Sequence, residues 1–373
     1  MLNNKLNNLN SARKAYKKSL EIINTFNIPR GKAEPLMGLA LLEGFYGDTQ
    51  SGLKYAKKGL SISKEAGDEW LSAILNFSIG INHYFENKLQ KAEEIFLNNI
   101  VSFEKLNDNF LKMINRLWLS LIYLDKDKSN KFQITTEKLF TTMKEMDFDF
   151  ILFGPTLFTG ESPEKFIPIL LEAKNNSIKR GFVQNELKKL GLSDLKNHPG
   201  YKLKIRAFGN FKIWRGRNEI KHKDWDREKA RELLLLFVIN IGELIPKEKI
   251  YYYLWPEKNK KKASRNFKVT LNSLKNTLEP NRIARQKPYF INRRASAYGF
   301  NKNSAYIYDV EEFKNLIEKG EKSKNEKEKI EFFESALKIY DDDFATDKLY
   351  LDWIREEREN LRNLFLNTGD KLI

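Results

Sequence analysis

A 40-residue repeat constrains this chain more than any other feature. Ala12–Leu20 aligns with Gly52–Leu60 at an offset of 40, and Ala92–Ile100 continues the register. One large apolar position recurs as Leu20, Leu60, Ile100 and Phe140. A second stripe keeps the same spacing at Leu39, Ile79 and Leu119, and two residues later at Leu41, Ile81 and Leu121. Breakers fall between the stripes: Asn27-Ile-Pro29, Gly67-Asp68 and Asn107-Asp108. Stripe, break and stripe make a helical hairpin, whose apolar face only a neighbouring hairpin can bury, so residues 1–150 are predicted to stack as repeats.

In period and residue size this region resembles the tetratricopeptide-like arrays in the sensor regions of large bacterial activators similar to the maltose-regulon activator. The resemblance implies a concave surface for an effector, a peptide or sugar-like molecule, or for another copy of the chain. The plainer alternative is a helical spacer without a ligand. In residues 151–200 the pattern is broken by Gly154-Pro155, Gly160, Pro163 and Pro168. Gly160-Glu-Ser-Pro163 is expected to turn into a short helix, and Leu192–Gly200 to form a linker.

Charge singles out the next segment. The chain carries 66 Lys+Arg against 50 Asp+Glu, a net charge of +16. Residues 201–300 hold 25 basic and 9 acidic side chains, and the remainder holds 41 of each, so the whole excess belongs to one domain-sized stretch. A polyanion is the partner this predicts. Zero cysteines exclude disulfides, thiolate nucleophiles and cysteine-held metals. His83, His198 and His222 form no spaced ligand set, so no metal and no cofactor are expected. No spacing supplies an acid, base or nucleophile set, and an enzyme is not expected. No apolar run reaches membrane-spanning length and the N-terminus lacks a signal-type apolar stretch, which leads us to expect a cytoplasmic chain.

Within residues 201–308 the period changes. Tyr201–Phe208, Phe211–Trp214 and Asn218–Ile220 alternate, which predicts a small antiparallel sheet. Helices are expected over Arg227 to about Asn240, Lys247 to about Leu254 and Lys261 to about Leu278. Short alternating stretches follow at Arg282–Arg285, Tyr289–Asn292, Ala297–Phe300 and Tyr306–Tyr308. Sheet, three helices and basic hairpin is the order of a winged helix-turn-helix.

On a helical wheel the third helix gathers Phe267, Leu271, Leu274 and Leu278 into a narrow apolar seam. Lys261, Arg265, Lys268, Asn272 and Lys275 share the opposite face, with donors suited to base edges in a major groove. No acidic residue interrupts Lys258–Leu278. Arg293 and Arg294 are placed at the tip of a wing, and Lys229, Arg231 and Lys247 near helix starts, where phosphates are favoured. Trp255, Phe267 and one of Tyr251-Tyr-Tyr253 read as core.

Residues 309–373 read as helical. Phe313, Ile317, Phe332, Phe333, Ala336, Leu337 and Tyr340 suggest a hairpin, and Leu349, Trp353, Leu361, Leu364 and Phe365 a longer helix. Asp341-Asp-Asp343 lacks the spacing of a cation loop and reads as a solvated turn.

Lys204-Ile-Arg-Ala-Phe-Gly-Asn-Phe-Lys-Ile-Trp-Arg-Gly, Arg227-Glu-Lys-Ala-Arg-Glu-Leu-Leu, Tyr253-Leu-Trp-Pro256 and Ala263-Ser-Arg-Asn-Phe-Lys-Val-Thr-Leu-Asn-Ser-Leu-Lys resemble antibiotic-regulatory-protein (SARP-like) transcriptional activators. The likeness extends through Tyr308-Asp-Val-Glu-Glu-Phe313 and Tyr350-Leu-Asp-Trp-Ile-Arg-Glu-Glu-Arg-Glu-Asn-Leu361. It implies a response-regulator-type winged helix followed by a helical bacterial transcriptional activation domain. It also implies sequence-specific binding to double-stranded promoter DNA, often as a homodimer on direct repeats, and recruitment of RNA polymerase. In that family the activation domain runs on through several more helices, so a fragment or a reduced form is expected here. Large relatives often carry an ATPase module, but no GxxxxGK[ST] loop is present. The expectation is a mainly α, cytoplasmic DNA-binding activator. The alternative is a helical-repeat scaffold whose basic module docks RNA polymerase or an acidic partner without reading sequence.

Overall fold

The structure, a computed structural model, describes residues 2–26, 28–160, 163–283 and 285–372. Asn27 of the first breaker, Glu161 and Ser162 of the expected turn, and Ala284 of the stretch Arg282–Arg285 lie outside the described residues. The fold is mainly helical with a small mixed β region, and the chain divides into two compact units, Met1–Gly200 and Tyr201–Ile373.

The first unit is a run of antiparallel helices: α1 (Leu2–Thr25), α2 (Ala33–Tyr46), α3 (Thr49–Glu65), α4 (Glu69–Phe85), α5 (Leu89–Lys105), α6 (Asn109–Asp125) and α7 (Ser129–Glu145). From α3 to α7 every helix has 17 residues. Each ends on a residue with positive φ, in turn Gly67, Asn87, Asn107, Asp127 and Asp147, spaced by 20 residues. Gly, Asn and Asp are the types that tolerate this left-handed conformation, so the turn chemistry repeats at half the hairpin period. Asp48, Asp68 and Asp108 cap the following helices by accepting from backbone N–H groups. Leu39, Leu41, Ile81, Leu119 and Leu121 are buried as the stripes require.

Beyond α7 come the short helices α8 (Ile167–Asn175) and α9 (Arg180–Lys189), whose Ile169, Leu170, Val183 and Leu187 join the same core. The loop before α8 folds back over α2, α4 and α6. Phe158 packs against Phe77 and Phe110, with ring centroids 5.8 and 6.2 Å away, and its carbonyl accepts from the Trp118 indole at 3.0 Å. Gly160 (φ 79°) passes so close to Phe45 that a Cβ would stand 2.8 Å from the ring. Residues 158–160 thus cover Phe45, Phe77, Phe110 and Trp118 on α2, α4 and α6.

The second unit opens with β1 (Leu203–Arg206), β2 (Lys212–Arg215) and β3 (Asn218–Glu219), followed by α10 (Glu228–Ile239), β4 (Ile245–Pro246), α11 (Lys247–Leu254) and α12 (Lys260–Leu278). Next come β5 (Ile291–Arg294), β6 (Ala297–Phe300), β7 (Tyr306–Tyr308), α13 (Asp309–Lys322), α14 (Glu326–Leu337) and α15 (Arg355–Asp370). The first sheet has the order β3-β2-β1-β7, and the second β4-β6-β5. The first is mixed, not purely antiparallel: β7 runs parallel to β1, pairing Leu203 with Tyr306 and Ile205 with Tyr308. Tyr289 and Phe290, placed in an alternating stretch by sequence, precede the strand β5 itself.

The stretches separated at 308/309 by sequence form one unit. The Asp309 carboxylate accepts from the N–H groups of Ala207, Phe208 and Val310 at 2.8–3.0 Å. Burial pushes its pKa up to about 6, against the pull of those donors. Phe208 is fully buried against Phe313 and Tyr340, with ring centroids 5.2 and 4.6 Å away. The helix expected to include Leu349 and Trp353 starts only at Arg355. Before it the backbone is spent elsewhere: Ala345 N–H donates to Ala207 O, Thr346 N–H to Gly209 O, and the Asp347 carboxylate accepts from Phe211 N–H. Pinned in this way to the edge of β1 and β2, residues 345–354 form 3-10 turns and leave Leu349 65% exposed.

Candidate nucleic-acid interface

α12 is held along one side and open along the other. Asn259 caps it, its Oδ1 accepting from Lys262 N–H at 3.0 Å. Phe267, Leu271, Leu274 and Leu278 are all buried. The Phe267 ring lies 5.7 Å from Tyr251 of α11 and 5.0 Å from Tyr298 of β6, which ties the helix to both neighbours. Tyr251 is thus the inward member of the three tyrosines, while Tyr252 is 71% exposed. Trp255 is buried, as a core residue should be.

Lys261, Arg265, Lys268 and Asn272 are exposed on the outer face. Among the described residues no carboxylate forms an ion pair with Lys258, Lys260, Lys261, Lys262, Arg265 or Lys268. An open cleft runs between this helix and the start of α10, lined by Arg227, Lys229, Lys258, Lys262 and Arg265. Arg227, Lys258, Lys262 and Val269 are missing from the residues picked by sequence. Val269 lies one turn after Arg265 and is 42% exposed amid charge. Its place on the wheel beside Arg265 is the signal that could have found it, although valine ordinarily marks a core position.

Three of the expected contacts, Lys275, Arg231 and Lys229, are placed differently. Lys275 is only half-buried where its helical neighbours on this face are exposed. Its ammonium is pulled below the usual lysine range by burial, then by Arg282 and Arg293, with Glu279 opposing. Arg231 does not offer its guanidinium to a phosphate. It pairs with Asp347 at 2.8 Å and with Glu228 at 3.7 Å, and donates to Phe211 O. Lys229 lines the cleft but already holds Glu232 at 2.7 Å. Lys247 starts α11, where its backbone N–H donates to Ser296 O of the hairpin.

Arg293 and Arg294 end β5, ahead of a turn in which Ala295 has φ 51°. Consecutive strand residues face opposite sides, so the two exposed cations do not act as a pair. The Arg293 guanidinium folds over Tyr298, 5.5 Å from the ring centroid, while Arg294 stands opposite Ala297.

Ion pairs also fix the first turn of α10. Lys348, 4% exposed, pairs with Glu228, and the Tyr350 hydroxyl donates to Glu232 at 3.2 Å. Asp341 is spent on Arg206, and Asp343 accepts from the Tyr340 hydroxyl. Among the described residues no group of His, Cys, Asp or Glu is placed to share a metal ion, and no helix is long and apolar enough to cross a membrane. No protein-family model matches this chain, and no curated protein matches it.

Proposed function

We propose that residues 201–373 form a SARP-like DNA-binding module, a winged helix-turn-helix joined to part of a helical activation domain, and that the protein is a cytoplasmic transcriptional activator. In this reading α12 enters the major groove of promoter DNA. Lys261, Arg265, Lys268 and Asn272 contact base edges, and the hairpin of β5 and β6 is the wing. The helices after Asp309 contact RNA polymerase or a second protomer. The tetratricopeptide-like array receives an effector or a protein partner.

One observation carries the reading: among the described residues the cations of α12 have no carboxylate partner along an exposed helical face, although acidic side chains are plentiful elsewhere in the same unit. A solvated face ordinarily mixes signs. Unpaired donors at helical spacing suit a polyanion with a groove.

The test is salt-titrated binding of the full chain to duplexes selected from a random pool and to unselected duplexes. A preference for selected sequence, lost in Arg265→Ala and Lys268→Ala, is the expected result. Equal affinity for all sequences would favour the scaffold alternative, in which the basic module docks RNA polymerase or an acidic protein without readout.

A further inference from the structure

A cleft of about 400 Å3 opens in the first unit, with Arg116 of α6, Ile134, Glu137, Lys138 and Thr142 of α7, and Lys179 just before α9 in its lining. The size suits a small ligand or the end of a peptide. Arg116 is half-buried, and its Nη1 donates to Thr142 Oγ1 at 3.3 Å. Among the described residues that is its one hydrogen bond, and the guanidinium nitrogens left without a partner remain open to solvent.

Other half-buried cations of this unit meet a carboxylate: Arg13 meets Glu43 at 2.7 Å, Lys112 meets Glu104 at 2.9 Å and Lys126 meets Glu93 at 3.0 Å. Among the described residues no carboxylate lies within ion-pair distance of Arg116 or Lys138. Glu104, the carboxylate that bears on Arg116, is the one held by Lys112. Lys179 stands at the cleft on a left-handed backbone, φ 44°, which is costly for a lysine. Its ammonium lies 4.0 Å from Glu137, so the single carboxylate of this lining already has a cation beside it. Arg116 and Lys138 are left in excess. Next to them Ile134 is 52% exposed, an apolar surface within a charged cleft.

We propose that this cleft binds an organic carboxylate, gripped by the Arg116 fork with Lys138 beside it, while the apolar body of the ligand lies on Ile134. A planar guanidinium with free parallel donors matches a carboxylate. A phosphate dianion fits less well, because it would be set beside Glu137 and would leave Ile134 uncovered. The carboxylate is that of a free acid or of a peptide C-terminus. The assignment rests on the reading that the array receives an effector and deepens it by naming the ligand class; it is independent of DNA binding by α12.

The test is titration of the full chain, labelled at the isoleucine methyl groups, with N-acetyl-leucine, N-acetyl-leucinamide and inorganic phosphate. N-acetyl-leucine should shift the Ile134 methyl resonance saturably, and the amide and phosphate should not. Arg116→Gln should weaken this binding by about tenfold. Lys138→Gln, at an exposed position, should weaken it too and guards against a folding defect in the first variant. A leucine-ended peptide that binds more tightly than N-acetyl-leucine assigns the site to a peptide C-terminus, and equal affinity assigns it to a free acid. An Ile134 signal that stays in place, that moves equally with the amide or with phosphate, or that responds with unchanged affinity in both variants overturns the site. Shifts confined to other isoleucines of the array overturn it as well but leave the effector reading standing, so the two failures are distinguishable.

Discussion

Lysines serve opposite ends in the two units. In the first, Lys126, Lys128 and Lys131 converge on Glu93 at 3.0, 3.2 and 2.9 Å, and the Glu93 side chain is 4% exposed. In the second, Lys261, Arg265 and Lys268 line a helix face without a carboxylate partner. The same side-chain chemistry fastens α5 to α6 and α7 in one place and is left to the surroundings in the other. Net charge singles out residues 201–300 but does not tell which cations are left unpaired. The location of the nearest carboxylate does, and this makes the comparison breakable by single substitutions.

The largest effect is expected at Glu93. Glu93→Ala leaves three ammonium groups facing one another without their carboxylate and should destabilise the first unit by about 3 kcal/mol, lowered from the fully buried case because the lysines are partly solvated. Hydrogen exchange of the α5–α7 amides in the full chain measures it. Unchanged protection would mean that the lysine cluster is not structural, and the comparison would lose one of its terms.

The two units should also respond to acid with opposite sign. Burial alone would raise the pKa of Glu93, but the three lysines overcome this and hold it at about 2. Its contribution is therefore present above the ordinary carboxylate pKa of about 4.5 and is lost as pH falls toward 2. Asp309 behaves inversely. With a folded pKa raised to about 6, it favours the folded state at low pH, and that advantage is lost as pH rises through 6. Either contribution corresponds to roughly 3 kcal/mol. Exchange measured between pH 3 and 7 should show α5–α7 gaining protection with pH while β1 and the start of α13 lose it. Glu93→Gln should flatten the first trend and Asp309→Asn the second.

On α12 the expected outcome is loss of binding without loss of stability. Arg265→Ala and Lys268→Ala should each weaken binding to selected duplex by about 1–3 kcal/mol. Their melting temperatures should match the unaltered protein, since an unpaired surface cation contributes within about 0.5 kcal/mol. A melting shift comparable to that of Glu93→Ala would show these cations to be structural after all.

What could be read in advance was local. Leu39, Ile79 and Leu119 mark the hairpins because an array repeats its contacts, and Phe267 to Leu278 mark the seam of α12 because a buried stripe recurs at helical spacing. The rest depended on partners far away in sequence. Arg231 resembles any other cation near a helix start until Asp347, 116 residues later, claims it. Phe158 sits in a loop without period, so nothing local tells that Phe77, Phe110 and Trp118 will receive it. Leu349 and Trp353 match a helical stripe, but the backbone before them is drawn to β1 and β2 and cannot coil. Most strands were legible as alternating stretches, while the parallel pairing of β7 with β1, which brings residues 306–308 beside 203–205, was not.

The smallest effect separates Lys275 from its neighbours on the same helix. In the free protein its ammonium is disfavoured by burial, then by Arg282 and Arg293, and Glu279 only partly compensates. In the proposed complex the polyanion brings negative charge to this face and returns the lysine toward its ordinary pKa, so binding is accompanied by proton uptake at alkaline pH. Duplex affinity should therefore fall as pH rises through the lowered pKa of Lys275. Lys275→Gln removes the titrating group and should flatten this limb, whereas Lys268→Ala, which alters an exposed position on the same face, should leave its slope unchanged while lowering affinity at every pH. A slope abolished equally by both substitutions would place the two lysines in one environment, and the distinction between half-buried Lys275 and exposed Lys268 would fall.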